Sequence, residues 1–322
     1  MKTINKNESK DILITKPLLK WVGGKTQILS QVLEQFPKQI DNYYEPFLGG
    51  GSVLLGLLEY VNAGKIQIKG KIYASDFNKR LIGLYKNIQS KPQELLNKLT
   101  EIIDLFKKCK NNIKEKERRK VGTIKNLEQG METRESYYYW IRQKYNEITD
   151  LENIDCSAML IFLNKTGFRG VYRESKNGYN VPYGFYDNPE IINKDHLMKI
   201  NQLIKNVVFE HKCYSQVLPN VGKFCSNNIS DFIYADPPYV PENVSSFVGY
   251  TKDSFDLKNH KILFDFLKNG INFLLSNSNV DLVKNSFLPE YYQTCVISCK
   301  RTINSKNPTA KTNEVLIKPI WQ

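Results

Sequence analysis

Four consecutive residues, Asp236-Pro237-Pro238-Tyr239, carry the densest chemical signal in the chain. They follow Phe232-Ile233-Tyr234-Ala235, an apolar run with the composition of a buried strand. Two successive prolines fix φ and restrict the residue before them. Neither has an N–H, so this backbone offers only acceptors. A carboxylate, a rigid acceptor backbone and an aromatic ring therefore stand together at a strand end. That set suits a planar amine. Asp236 and the Pro237 carbonyl can each accept one N–H of a group such as the 6-amino of adenine, which exposes the nitrogen lone pair. Tyr239 can stack on the base, a contact worth ~1–3 kcal/mol. The plain alternative is a polar turn with two prolines; its placement directly after a strand weighs against that.

Three further segments bear on a ligand. Glu45-Pro46-Phe47-Leu48-Gly49-Gly50-Gly51-Ser52 lies between strand and helix signals. Its glycines permit a tight turn and close backbone approach to a ligand at the carboxyl end of a strand. A plain strand–helix turn remains the alternative, and no Gly-Lys-Ser/Thr follows that would make it a phosphate loop. Asp76, at the next strand end, can accept from both hydroxyls of a ribose, or instead serve a helix start ahead of Asn78. In Lys20-Trp21-Val22-Gly23-Gly24-Lys25, Trp21 offers an aromatic wall and Lys25 a cation from the start of its helix. Together these suggest a nucleoside-containing cofactor.

The elements that must position these residues alternate. Helices are expected over Lys25–Phe36, Ser52–Val61 and Asn78–Ile88, with strands at Asn42–Glu45 and Lys71–Asp76. After Ser90 the pattern changes to helices over Gln93–Phe106, Glu132–Tyr145 and Cys156–Leu163, then an irregular hairpin over Gly167–Tyr183. Strands return at Asn206–Glu210, Asp231–Ala235 and Asn272–Ser276, with a helix over Asp256–Leu267. Tyr291–Ser298 and Glu314–Ile317 read as a final antiparallel pair around a polar loop, Arg301–Asn313. The expected fold is α/β: a doubly wound, mostly parallel, Rossmann-like sheet with an inserted, mainly helical lobe. The expected division is a flexible tail at 1–16, a catalytic domain at 17–90 and 191–322, and the inserted lobe at 91–190.

Composition narrows the partners. Lys plus Arg number 46 against 33 Asp plus Glu, a formal charge of +13. Part of the excess is clustered at Lys107, Lys108, Lys110, Lys114, Lys116, Arg118, Arg119, Lys120 and Lys125, which favours a polyanion. No apolar run reaches the ~20 residues needed to span a bilayer, and no secretory signal opens the chain, so an intracellular, cytoplasmic location is expected. The six cysteines form no CxxC pair and the three histidines lack zinc-ligand spacing, so no metal is expected.

The motif order, from Lys20-Trp21-Val22-Gly23-Gly24-Lys25 through Glu45–Ser52, Asp76 and the insert to Asp236–Tyr239, resembles the Dam-like, alpha-group N6-adenine DNA methyltransferases. Phe247, Tyr250, Phe255 and Leu275-Ser276-Asn277-Ser278 fit the same pattern. The segments Asn164–Arg173 and Asn180–Gly184 resemble the family's DNA-reading hairpin. The resemblance runs from Lys16 to Ile317 but leaves the basic stretch near 107–126 uncovered. It implies that Trp21, Lys25, Asp76 and Asp236 contact S-adenosyl-L-methionine, that Phe47 and Gly49 line its pocket, and that Tyr239 holds an adenine turned out of the duplex. It further implies direct transfer from sulfur to N6, the activity of EC 2.1.1.72, with double-stranded DNA as partner.

Arg169, Tyr172 and Arg173 fall on the hairpin and are the expected DNA contacts, either bidentate to guanine or bound to phosphate. Arginine at 169, where many GATC-methylating relatives carry asparagine, resembles members that read CATG; CATG is therefore placed ahead of GATC. A monomer working in a restriction–modification system beside a cognate endonuclease is the expected setting. The same acceptor geometry also serves RNA adenine-N6 or protein glutamine methylation, and an inactive DNA-binding protein is a further alternative.

Overall fold

The computed structural model describes residues 12–111, 123–222, 230–241, 255–300 and 311–320. Phe247, Tyr250, the middle of the basic stretch and most of the Arg301–Asn313 loop lie outside them. The first elements are α1 (Leu29–Glu34), β1 (Gln39–Ile40), β2 (Tyr43–Glu45), α2 (Ser52–Asn62), β3 (Gln67–Ile68), β4 (Ile72–Asp76) and α3 (Lys79–Ser90). Four helices follow: α4 (Pro92–Lys108), α5 (Leu127–Gly130), α6 (Arg134–Glu147) and α7 (Ile154–Thr166). Next come β5 (Glu174–Ser175), β6 (Gly178–Tyr179), α8 (Lys194–Leu203), β7 (Val207–His211), α9 (Tyr214–Val217) and β8 (Phe232–Ala235). The last are α10 (Leu257–Leu267), β9 (Phe273–Ser278), α11 (Asp281–Ser286), β10 (Tyr292–Lys300) and β11 (Lys311–Pro319).

Seven strands form one sheet in the order β10-β11-β9-β8-β2-β4-β7. The five from β9 to β7 are parallel, and β11 and β10 add an antiparallel edge. Strands β2, β8 and β9 are buried along their whole length, as expected where helices cover both faces of a parallel sheet. From β2 the chain steps outward to β4 and β7, then returns to β8 on the other side of β2. The strand order therefore reverses between β2 and β8, and the crevice beyond their carboxyl ends is where open α/β sheets bind ligands.

Side-chain caps set several helix starts: the Asn78, Thr133, Asn153, Asn193 and Asp256 side chains each accept a backbone N–H from the first turn of α3, α6, α7, α8 and α10. Helix α1 is shorter than the sequence pattern suggests. Gly23 takes φ 78°, Gly24 N–H bonds the Trp21 carbonyl, and the Lys25 carbonyl is used by a turn. Lys25 thus stands ahead of the helix rather than on it. The amino-terminal segment is docked earlier than the expected 1–16 tail allows: Thr15 is buried and donates to Glu59 Oε1 at 2.5 Å, and the Lys16 carbonyl meets His196 Nε2 at 2.8 Å. Leu95, Leu99, Phe106, Tyr137 and Phe162, from α4, α6 and α7, share one core with Leu54, Leu84 and Phe209 of the sheet layers. Buried Asn87 of α3 reinforces that joint by donating to the Glu152 carbonyl and Ser157 Oγ.

Candidate active site

The glycine-rich segment leaves β2 and turns into α2. Gly49 and Gly51 take φ 50° and 72°, the left-handed region that a side chain disfavours. Space forbids a Cβ at Gly51, where it would lie 2.3 Å from Tyr85 Oη, and crowds one at Gly49, 3.1 Å from Trp21 Cδ1. Tyr85 Oη donates to the Gly50 carbonyl at 2.7 Å, which locks the turn.

Asp76 closes this cradle from the end of β4. Its Oδ2 accepts from Gly49 N–H at 2.9 Å and its Oδ1 from Asn78 N–H at 2.8 Å. A carboxylate has about four lone-pair sites, so acceptor capacity for a ligand's hydroxyls remains. Burial raises its pKa, and the Asn78 and Gly49 N–H groups oppose that rise. The cap of α3 is Asn78, not Asp76. Next to it Phe77 is an exposed ring, 55% accessible, beside His211.

Lys25 and Asp236 are brought together across the β2–β8 crevice. Lys25 is 3% exposed, and its Nζ donates to Asp236 Oδ2 at 2.6 Å and to the Gly23 carbonyl at 2.7 Å. Its backbone N–H is held by Ser52 Oγ at 3.1 Å. Two of the three ammonium protons are thus used. Asp236 Oδ1 is buried and has no hydrogen-bond partner. Burial lifts the Asp236 pKa, and Lys25 pulls it back. Glu45 lies at the end of neighbouring β2, 2% exposed, and accepts from Tyr43 Oη at 2.7 Å. Burial pushes its pKa up to about 8, against the Tyr43 hydrogen bond and with a further push from Asp236. Glu45 is therefore chiefly a neutral acid at pH 7, whereas the negative charge of Glu314 also raises the Asp236 pKa.

The Pro237–Val240 loop is pinned to β9. Asn277 Oδ1 accepts from Val240 N–H at 3.1 Å, and Ser278 Oγ donates to the Val240 carbonyl at 2.5 Å. Tyr239 Oη lies 2.7 Å from Ser276 Oγ and donates to Glu314 Oε2 at 2.8 Å. The Lys25 ammonium sits 4.9 Å from the Tyr239 ring centroid. Burial and the negative charges of Asp236 and Glu314 hold the Tyr239 phenol well above its usual pKa, so it is protonated.

Trp21 packs on the glycine turn and stacks on Tyr172, with centroids 4.9 Å apart. Tyr172 also gives its hydroxyl proton to Glu174 Oε1 at 2.5 Å. It backs the Trp21 wall from the hairpin. Phe47 stacks on Tyr214 at 5.5 Å and meets Phe255 edge-on at 5.7 Å. Of the two hairpin arginines, Arg173 is turned back, its Nε donating to Asn180 Oδ1 at 2.7 Å. Arg169 is exposed with φ 57°, and its guanidinium lies 5.3 Å from the ring of exposed Phe168. Glu45, Phe77, Ser276 and Glu314 carry no role in the sequence reading. Glu45 and Ser276 fall within motifs already quoted, and Phe77 is an aromatic directly after a strand-end acid; Glu314 has no such local signal. Among the described residues no group of three or more His, Cys, Asp or Glu is placed to hold a metal ion, and no helix is long and apolar enough to cross a membrane.

The chain is 36% identical over 309 residues to the type II methyltransferase M.MjaIII of Methanocaldococcus jannaschii, covering 92% of this chain and 95% of that protein. It is 27% identical to the type II methyltransferase M1.LlaDCHI of Lactococcus lactis subsp. cremoris, covering 94% of each, and 26% identical to the DNA adenine methylase of Salmonella typhi, again covering 94% of each. Residues 21–303 match the family model of the D12 class N6 adenine-specific DNA methyltransferases, and the chain belongs to that family.

Proposed function

We infer that this chain transfers a methyl group from S-adenosyl-L-methionine to N6 of an adenine extruded from duplex DNA. The observation that carries this reading is Asp236 Oδ1: a buried carboxylate oxygen with no partner, aimed from a strand end, beside an oxygen already held by Lys25. An unpartnered buried acceptor costs free energy unless a ligand donor satisfies it. An amino N–H supplies that donor. When bound, the cofactor would supply a methyl group on a positively charged sulfur. Asp76 would hold its ribose, the Gly49–Gly51 turn and Trp21 would wall it, and Phe47 would line its pocket. The fit is supported by the spare acceptor capacity of Asp76 and by a cradle that a Cβ would fill. Asp236 and the Pro237 carbonyl would orient the amine, Tyr239 would support the base, and Lys25 would hold Asp236 ionised.

Residues 91–190 are read as the target-recognition part, with Arg169 its leading base contact. Arginine at 169 keeps CATG ahead of GATC as the site. The expected setting is a monomer in a restriction–modification system, with a cognate endonuclease cutting the same site, inside the cell. The test is transfer of labelled methyl to DNA, RNA and protein, followed by mapping of modified adenines. Label in DNA at N6, lost in Asp236→Ala with unchanged folding, is the expected result. Label in RNA or protein alone, or full activity in Asp236→Ala, would overturn the reading. Protection of GATC but not CATG would overturn the site preference.

A further inference from the structure

Glu314 stands outside every motif singled out in the sequence and outside residues 21–303 of the family match. It lies on β11, opposite Ser278 of β9 and Ile297 of β10. Its Oε2 accepts from Tyr239 Oη at 2.8 Å, and the fully buried Ser276 places its Oγ 2.7 Å from Tyr239 Oη. A phenol has one proton to give. The carboxylate takes it, so the Ser276 hydroxyl must be the donor in the second bond. The far end of the ring is thereby held by two strands, while Lys25 Nζ lies 4.9 Å from its centroid.

We propose that Glu314, with Ser276, is a positioning residue for adenine methylation: by accepting the Tyr239 proton it fixes the ring against the target base and enriches the ring's electron density. The proposal rests on reading Tyr239 as the platform for the extruded adenine. The chemistry gives that enrichment a use. The N6–carbon bond forms as the donor's sulfur–carbon bond breaks, and the electron pair of the broken bond leaves with a neutral thioether. The base carries the positive charge until the N6 proton passes to water. A cation over an electron-rich ring is stabilised, and a charge-assisted hydrogen bond from the phenol strengthens that effect. Loss of the Glu314 charge should therefore slow transfer by roughly 3- to 30-fold.

The test is a double-mutant cycle of Glu314→Gln and Tyr239→Phe, read as single-turnover transfer to a duplex whose target adenine has been mapped with the wild-type chain. A second readout needs no cofactor: fluorescence of 2-aminopurine placed at that adenine, which is quenched when stacked on Tyr239. Glu314→Gln should lower the transfer rate, leave KM for DNA and the thermal midpoint unchanged, and brighten the bound probe. In the Tyr239→Phe background it should add nothing, because the hydroxyl it acts through is gone. Ser276→Ala should behave in the same direction with a smaller loss, and it carries the test if Glu314→Gln does not fold. An equal loss with and without the Tyr239 hydroxyl, or no loss at all, overturns this inference alone. A wild-type chain that methylates no DNA overturns it together with the reading it rests on.

Discussion

The ion pair between Lys25 and Asp236 sets the lower pH limit at which the site can work. Consider Lys25→Met, which keeps the aliphatic stem and removes the charge. The ammonium lies 2.6 Å from Asp236 Oδ2, with side chains 4% and 18% exposed. At an effective dielectric near 20 that distance corresponds to about 6 kcal/mol of attraction, a ceiling on the effect. Water entering the vacated space recovers much of it, and loss of an adjacent cation typically moves a carboxylate by about 1–3 pH units, or roughly 1–4 kcal/mol. The sign follows from the causes. Burial already raises the Asp236 pKa and Lys25 opposes it, so removing Lys25 raises it further. A protonated carboxyl loses one acceptor for the amine. The acidic limb of the kcat profile should therefore move up by about 1–3 units. The loss should be largest on the acid side of the profile and shrink as pH rises. Folding gives a second reading without cofactor: with a folded pKa above the unfolded one, Asp236 weakens the fold progressively as pH rises through that window. Denaturant unfolding of Lys25→Met should show a steeper loss of stability with rising pH than the wild type. A rate loss of equal size at every pH, with an unshifted limb and an unchanged stability slope, would refute the coupling and leave Lys25 as a ligand contact only.

Glu45→Gln tests the buried acid in β2. Its pKa of about 8 against an unfolded value of 4.5 means that stability is full below pH 4.5 and declines as pH rises to about 8. The amide keeps an acceptor for Tyr43, so the variant should match the wild type at pH 4.5 and exceed it by roughly 3 kcal/mol near pH 7, measured by urea unfolding; an equal difference at both pH values would contradict the assignment. Gly51→Ala should cost roughly 2–4 kcal/mol of stability and weaken cofactor binding, because it combines left-handed strain with displacement of the Tyr85 hydroxyl from the Gly50 carbonyl; a neutral thermal midpoint would show that the turn relaxes freely. Arg169→Ala should cost about 1–3 kcal/mol on the target site and less on other DNA. A uniform loss on all duplexes, with a salt slope reduced by about one, would make Arg169 a phosphate contact.

Much of the frame was legible because it rests on local patterns. Strands β4, β7, β8 and β9 show as short apolar runs, and the helix starts carry their own capping residues at Asn78, Thr133, Asn153, Asn193 and Asp256. The glycine turn, Asp76 and Asp236 were legible because each ends a strand, and strand ends of a parallel sheet converge. What stayed hidden was pairing between distant segments. Periodicity places Lys25 on a helix, whereas it stands ahead of the helix at the start of a turn, with its ammonium on Asp236 just beyond β8. Nothing local tells that Glu314 of β11 reaches Tyr239, which follows β8, past the intervening β9. Tyr172, too, reads as a hairpin residue until its ring is seen against Trp21.

The charges around the crevice follow a single arrangement. Three carboxyl groups end adjacent strands: Glu45 on β2, Asp76 on β4 and Asp236 after β8. Left ionised and unpaired in a buried setting, they would repel one another and cost far more than a fold can spare. Each is handled differently. Glu45 takes up a proton, Asp236 is given Lys25, and Asp76 receives two backbone N–H groups from Gly49 and Asn78. The first two leave no net charge, and Asp76, held by two backbone donors, keeps acceptor capacity for a ligand's hydroxyls. The crevice thereby gathers three strand-end carboxyl groups without leaving three unpaired charges side by side.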